Sequence, residues 1–213
     1  MTETAKDPRS QSHWQRRSGY VAELYKFGRA LESKDRHQVA TARRTLARLR
    51  RSLVDDRFLL DAMAIADEFD PPKGGKRDET EPWLFTAGLY ALHPLSPRDG
   101  DRRLPLGTAL RTYSARASVQ ARLRQLLAAD WPTLRNRLRQ AVQMLGGSGI
   151  ALDYRTLLDD LVVLHREPIG GVRVHTVHLR WASDFQRGAR KDRSDDGDAG
   201  PDHDTDDEAG DLS

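Results

Sequence analysis

The 213-residue chain contains no cysteine, which excludes disulfides, thiolate–metal sites and cysteine nucleophiles. Aromatic residues make up only 7% of it. No run of about 20 apolar residues occurs, so a membrane-spanning helix is excluded. No apolar stretch follows a basic N-terminus in the manner of a secretory signal, and the cytoplasm is the expected compartment. Glycine patterns of nucleotide binding are lacking too. Gly74-Gly75-Lys76 has no upstream P-loop glycine, and Gly146-Gly147-Ser148-Gly149 matches neither a nucleophile elbow nor a dinucleotide fingerprint. That second run is read as a helix terminator.

What the chain has in abundance is charge, 31% of its residues, distributed unevenly. Residues 192–213 hold ten acidic residues and a single arginine, Arg193. The totals of 35 basic and 32 acidic residues therefore leave 34 basic and 22 acidic over residues 1–191, a net of +12. A body so cationic suits a polyanion, with nucleic acid the commoner case and an anionic membrane surface the rarer one. The acidic stretch from Gln186 onward has too few apolar side chains to offset the entropy of ordering its backbone, so 186–213 is expected to be disordered. Residues 1–17 are expected to form a flexible arm.

Between these ends the apolar spacing is helical nearly throughout. Val21, Leu24, Tyr25, Gly28 and Leu31 predict a helix near Ser18–Glu32. Asp35 can cap a second, with Ala42, Leu46, Leu49 and Leu53 on its core side, and Asp55 or Asp56 a third. Asp70–Thr80 and His93–Pro105 are loops, and between them lies the very apolar Trp83–Leu92. Further helices are expected over Leu106–Arg111, Ser118–Ala129, from Asp130 to before Gly146, and from Asp153 onward. Val172–Phe185 fits either strand or helix, and helix is preferred. The fold class is all-α: a compact helical bundle of about eight or nine helices over residues 18–185, or two small subdomains divided in loop 93–105.

The arginines fall on these helices. Six lie between Arg36 and Arg51 with no acid among them. At about 100° per residue, Arg44, Arg48 and Arg51 point away from the core, flanked by Arg36, Arg43 and Arg50. A second block, from Arg102 to Arg139, carries nine arginines against Asp130 alone. On its last helix Arg135 and Arg139 share one flank and Arg137 takes the other. Single exposed arginines are ordinarily solvated surface. Ordinary helix surfaces, however, interleave Glu with Arg at i,i+4, and unpaired arginine rows repel one another until an anion arrives. Guanidinium forks also hold phosphates bidentately and stack on bases.

Catalytic and metal constellations are not visible. His175 and His178 form an H-x-x-H pair without a third ligand at suitable spacing, so surface or core histidines are the simpler reading. Asp159 and Asp160, adjacent on a helix, point apart and are read as helix surface. Trp83, Phe85, Trp131 and Trp181 are read as core. No enzyme, cofactor or metal is expected.

Several segments carry a resemblance. Val21-Ala22-Glu23-Leu24, Ala42–Arg50, Gly88-Leu89-Tyr90-Ala91-Leu92-His93-Pro94, Leu106–Leu110, Arg122–Leu127, Leu134–Arg139, Leu152–Leu161 and Arg180–Phe185 together resemble the CasB family, the small subunit of the type I-E CRISPR Cascade complex. The likeness spans about Val21–Phe185 and leaves the acidic tail outside. It implies a helical, non-catalytic subunit of an RNA-guided surveillance complex, placed as two copies head-to-tail and stabilising the R-loop. The implied partners are guide crRNA, target DNA including its displaced strand, and the backbone and large Cascade subunits. Arg43, Arg44, Arg116, Arg122 and Arg139 match the family's basic positions. Arg48, Arg51, Arg111, Arg124, Arg135 and Arg137 are added from helix geometry. One phosphate track is expected on Arg43, Arg44 and Arg48, and another on Arg116, Arg122, Arg135 and Arg139. The alternatives are a helical DNA-binding regulator and a pure assembly scaffold with acidic protein partners.

Overall fold

A computed structural model of the chain describes residues 12–95, 103–113 and 116–195, with side chains for all of these except 116, 117 and 188–195. Nine α-helices occur among the described residues: α1 (His13–Leu31), α2 (Arg36–Arg51), α3 (Leu59–Asp67), α4 (Thr80–Leu92), α5 (Leu106–Thr112), α6 (Arg116–Leu127), α7 (Trp131–Gly147), α8 (Tyr154–Arg166) and α9 (Val172–Asp195). Short 3₁₀ turns at Asp56–Phe58 and Gly75–Arg77 join the third and fourth helices to what precedes them. The only extended pairing among the described residues is a single parallel bridge between Leu104 and Leu152.

Local chemistry accounts for most boundaries. Asp35, Asp130 and Asp153 each accept a hydrogen bond from a first-turn backbone N–H, satisfying donors that have no intrahelical partner. Helix α1 starts five residues earlier than its apolar spacing predicts. Ser12 and Gln15 form a reciprocal capping box there, so residues 13–17 of the expected arm are helical. At the other end α9 is a helix, not a strand, and continues to Asp195, ten residues into the segment expected to be disordered. The remainder of that segment, 196–213, lies outside the described residues. Helix α7 runs through Gly146 and Gly147 rather than stopping before them. Gly146 is there because a Cβ would lie 2.8 Å from the ring of His93.

Helix α4 is the axis of the fold. It is apolar all round and correspondingly buried on every side, from Pro82 to Ala91, with α2, α3, α7 and α8 packed about it. Helix α5 lies along α9 so closely that a Cβ on Gly107 would sit 3.0 Å from the Phe185 backbone nitrogen. One hydrophobic cluster unites the helices on both sides of residues 93–105, from Tyr20 on α1 to Phe185 on α9. Trp83, Phe85 and Trp181 are buried in it, as expected, whereas Trp131 is only half-buried at its edge.

A carboxylate inside this core corrects the surface reading of the helix acids. Asp160 is fully buried; it accepts a hydrogen bond from Trp181 Nε1 at 2.6 Å and another from Arg180, fastening α9 to α8. Its neighbour Asp159 accepts from Arg17 at 2.8 Å. Arg17 also grips the buried Glu79 with both Nε (2.9 Å) and Nη2 (2.6 Å). Arg166 reaches the same carboxylate at 3.2 Å, so α1, α4 and α8 converge on one charge cluster.

Candidate nucleic-acid interface

Helix α2 owes its cationic face to a simple partition. Ala42, Leu46 and Leu49 are buried, and the arginines occupy the rest of the circumference. Arg43 and Arg44 are exposed, with no carboxylate within ion-pair distance among the described residues. Arg48 differs, since its Nη1 lies 3.0 Å from Asp61 of α3. Arg51 places its guanidinium over the Phe58 ring, 5.3 Å from the centroid. Arg50 turns inward and donates to the Ala91 carbonyl at 3.2 Å.

The second block is divided by α7 into two flanks. On one, Arg137 lines a shallow depression together with Arg122 of α6, Gln125 and Gln140. On the other, Arg135 and Arg139 line a cleft of about 270 Å³ with Phe85 of α4, Asn136 and Leu53, just beyond α2. Arg122 therefore neighbours Arg137, not the Arg135–Arg139 pair with which it was expected to form a track. Arg124 is exposed on α6. Arg111, on α5, carries its guanidinium 6.0 Å from the Phe185 centroid. The Arg116 side chain lies outside the described residues.

The small cleft opens into a larger one of about 570 Å³ that shares Leu53, Phe85 and Arg135 and extends to Asp56, Asp78, Glu81 and His165. Glu81 organises its wall. One carboxylate oxygen accepts from Trp131 Nε1 (2.9 Å) and from Arg135 Nη1 (2.8 Å), and the other faces His165 Nε2 at 3.2 Å. Arg135 is thereby neutralised, and it also stacks on Phe85 at 5.4 Å. Of the eleven arginines singled out in the sequence, Arg48 and Arg135 are tied to carboxylates. Arg43, Arg44, Arg122, Arg124, Arg137 and Arg139 have no ion pair among the described residues.

Sequence reasoning missed Glu79, Glu81 and Asp160 as organisers. Glu81 lies 54 residues from Arg135 and Glu79 62 from Arg17, and no local periodicity reports such pairs. No group of three or more His, Asp or Glu side chains could hold a metal ion among the described residues. No described helix is long and apolar enough to cross a membrane.

Fold and surface together define a helical, single-core domain whose outward helix faces carry arginines in excess of their partners. Residues 45–185 match the family of the CRISPR-associated protein Cse2, and the chain belongs to that family. The CRISPR-associated protein Cse2 of Thermus thermophilus is 36% identical over 127 residues, covering 58% of this chain and 67% of that one. The crystal structure of CasB from Thermobifida fusca is 27% identical, with a TM-score of 0.55 over 81% of this chain and 97% of its own. A chain of a CRISPR RNA-guided surveillance complex shares the fold at a TM-score of 0.63 and 20% identity, over 87% of this chain and 99% of that one.

Proposed function

We propose that this protein is a non-catalytic small subunit of a Cascade-type, RNA-guided surveillance complex. Its arginine faces lie against sugar–phosphate backbones without reading bases and stabilise the R-loop while target DNA is bound. Membership of the Cse2 family and the fold shared with a chain of a surveillance complex support the placement. The observation that carries the chemistry is the set of arginines without a carboxylate partner among the described residues: Arg43 and Arg44 on α2, Arg122 and Arg124 on α6, and Arg137 and Arg139 on opposite flanks of α7. In an RNA-guided system base pairing supplies sequence recognition, and exchange of a DNA duplex for a heteroduplex is nearly balanced. Sequence-blind contacts to phosphate then decide its direction. The partners on this reading are crRNA, target DNA with its displaced strand, the other Cascade subunits, and a second copy placed head-to-tail.

Salt dependence tests it. Each phosphate neutralised on duplex DNA contributes about 0.9 to the slope of log K against log salt. Arg43→Ala with Arg44→Ala, and separately Arg122→Ala with Arg139→Ala, should each flatten the slope by about 2, measured by fluorescence anisotropy on a random-sequence duplex. Arg48→Ala should change it by less than about 1, because Asp61 already neutralises that guanidinium. An unchanged slope in both double variants would make these arginines ordinary surface.

A further inference from the structure

The six arginines without ion pairs leave a cationic surface whose partner must be an anion, and the chain itself carries one. Residues 196–213 contain eight acidic residues and neither Lys nor Arg. They lie beyond the family match, which ends at 185. Helix α9 delivers this segment to a particular place. It runs along α5, where Gly107 admits the backbone of Phe185 and Arg111 covers the Phe185 ring. Helix α5 in turn packs against α6 and α7. From Phe185 to the end of α9 at Asp195 is ten residues, about 15 Å of helix. The 18 residues that follow can reach up to about 60 Å when extended, more than the roughly 40 Å span of a domain of this size. The acidic segment thus leaves a helix that packs on α5, itself a neighbour of α6 and α7, and it is long enough to lie along the α6–α7 face.

We propose that the acidic C-terminal segment folds back onto the α6–α7 face at Arg122 and Arg137, which line one depression, and occupies it as an internal substitute for phosphate. The inference rests on the nucleic-acid reading above, since the competitor it displaces is that ligand. Short tethers hold a ligand at about millimolar effective concentration. Against an intrinsic dissociation constant of about 0.1 mM, that weakens an external ligand about tenfold. Stray nucleic acid, meeting few contacts at once, is rejected. An assembled complex that presents several phosphate tracks together displaces the segment.

The absence of cysteine makes the contact directly measurable. A spin label on Ser213→Cys in the full chain should broaden backbone amide resonances of α6 and of the first turns of α7 at low salt. Broadening should disappear when Asp202, Asp204, Asp206, Asp207 and Asp211 are changed to Asn and Glu208 to Gln. Broadening confined to α9, or unaffected by this neutralisation, overturns the proposal. In parallel, the neutralised chain should bind a random 30-nucleotide single strand about tenfold more tightly than the unaltered chain in dilute salt. The advantage should shrink as salt is raised. Equal affinity overturns the competitive role. If neither chain binds nucleic acid at any salt while α6 still broadens, the tail contact stands and the nucleic-acid reading is what has failed.

Discussion

At the scale of single residues, buried polar groups govern this fold more than its arginines do. Glu79 is fully buried and accepts from Arg17, Arg166 and Trp83 Nε1, the last at 3.3 Å. Removing one partner of a buried pair leaves the other charge uncompensated, which costs about 3–5 kcal/mol. Glu79→Ala should lower the urea midpoint accordingly, and Arg166→Ala, whose guanidinium is nearer solvent, should cost less. His93 behaves differently. It is buried between Tyr154 and Gly146, and neither ring nitrogen has a hydrogen-bond partner in place. Burial pushes its pKa below the ordinary histidine value. Because the unfolded chain binds that proton more readily, the folded state is favoured above the unfolded pKa of about 6.5 and loses stability as pH falls below it. His178, also lowered by burial and by His175, adds to the same slope. Equilibrium unfolding of His93→Leu at pH 7.5 and 5.5 should show a smaller loss of stability between the two pH values than the unaltered chain.

At the scale of elements, two close helix crossings depend on glycine for different reasons. A Cβ on Gly107 would strike the Trp181 carbonyl oxygen and approach Asp184 Cβ at 2.9 Å, so it meets mainly backbone. A Cβ on Gly88 meets the Leu53 side chain, with Cγ at 2.5 Å, and only then the Leu49 carbonyl at 3.3 Å. Side chains can rotate away and helix backbones cannot. Overpacking costs about 1–3 kcal/mol, and Gly107→Ala should lie at or above the top of that range by thermal unfolding. Gly88→Ala should cost less in stability, but it displaces Leu53, which lines both clefts beside Arg135 and Arg139. Its signature is therefore weakened nucleic-acid binding at nearly normal stability.

At the scale of the whole molecule, α2 and α7 flank the same central helix α4, and Leu53 brings the end of α2 to the cleft of Arg139. Arginines on several faces of one scaffold can track one duplex or separate strands. If one duplex spans both, the quadruple variant Arg43→Ala, Arg44→Ala, Arg122→Ala, Arg139→Ala should flatten the duplex salt slope by the sum of the two double variants, about 4. Contacts to separate strands would instead let one double variant alone affect single-stranded binding. Filter binding with both probes separates these outcomes.

Much of this organisation is local and hence readable in one dimension. The spacing of Ala42, Leu46 and Leu49 oriented α2, Asp35, Asp130 and Asp153 marked three helix starts, and the very apolar stretch from Trp83 to Leu92 marked a further helix. Each is a relation between residues a few positions apart, which helix geometry converts directly into a face or an end. The C-terminal half of α9 was misread because composition alone described Gln186–Asp195, while the helix docked at Phe185 and Trp181 propagates through it. The tertiary fold alone decided which arginines keep their charge available. Arg48 and Arg135 look like Arg44 and Arg139 in sequence, yet Asp61 and Glu81 arrive beside them from other helices. Electrostatic pairing depends on distance in space, and an amphipathic pattern holds no record of what another helix will place there.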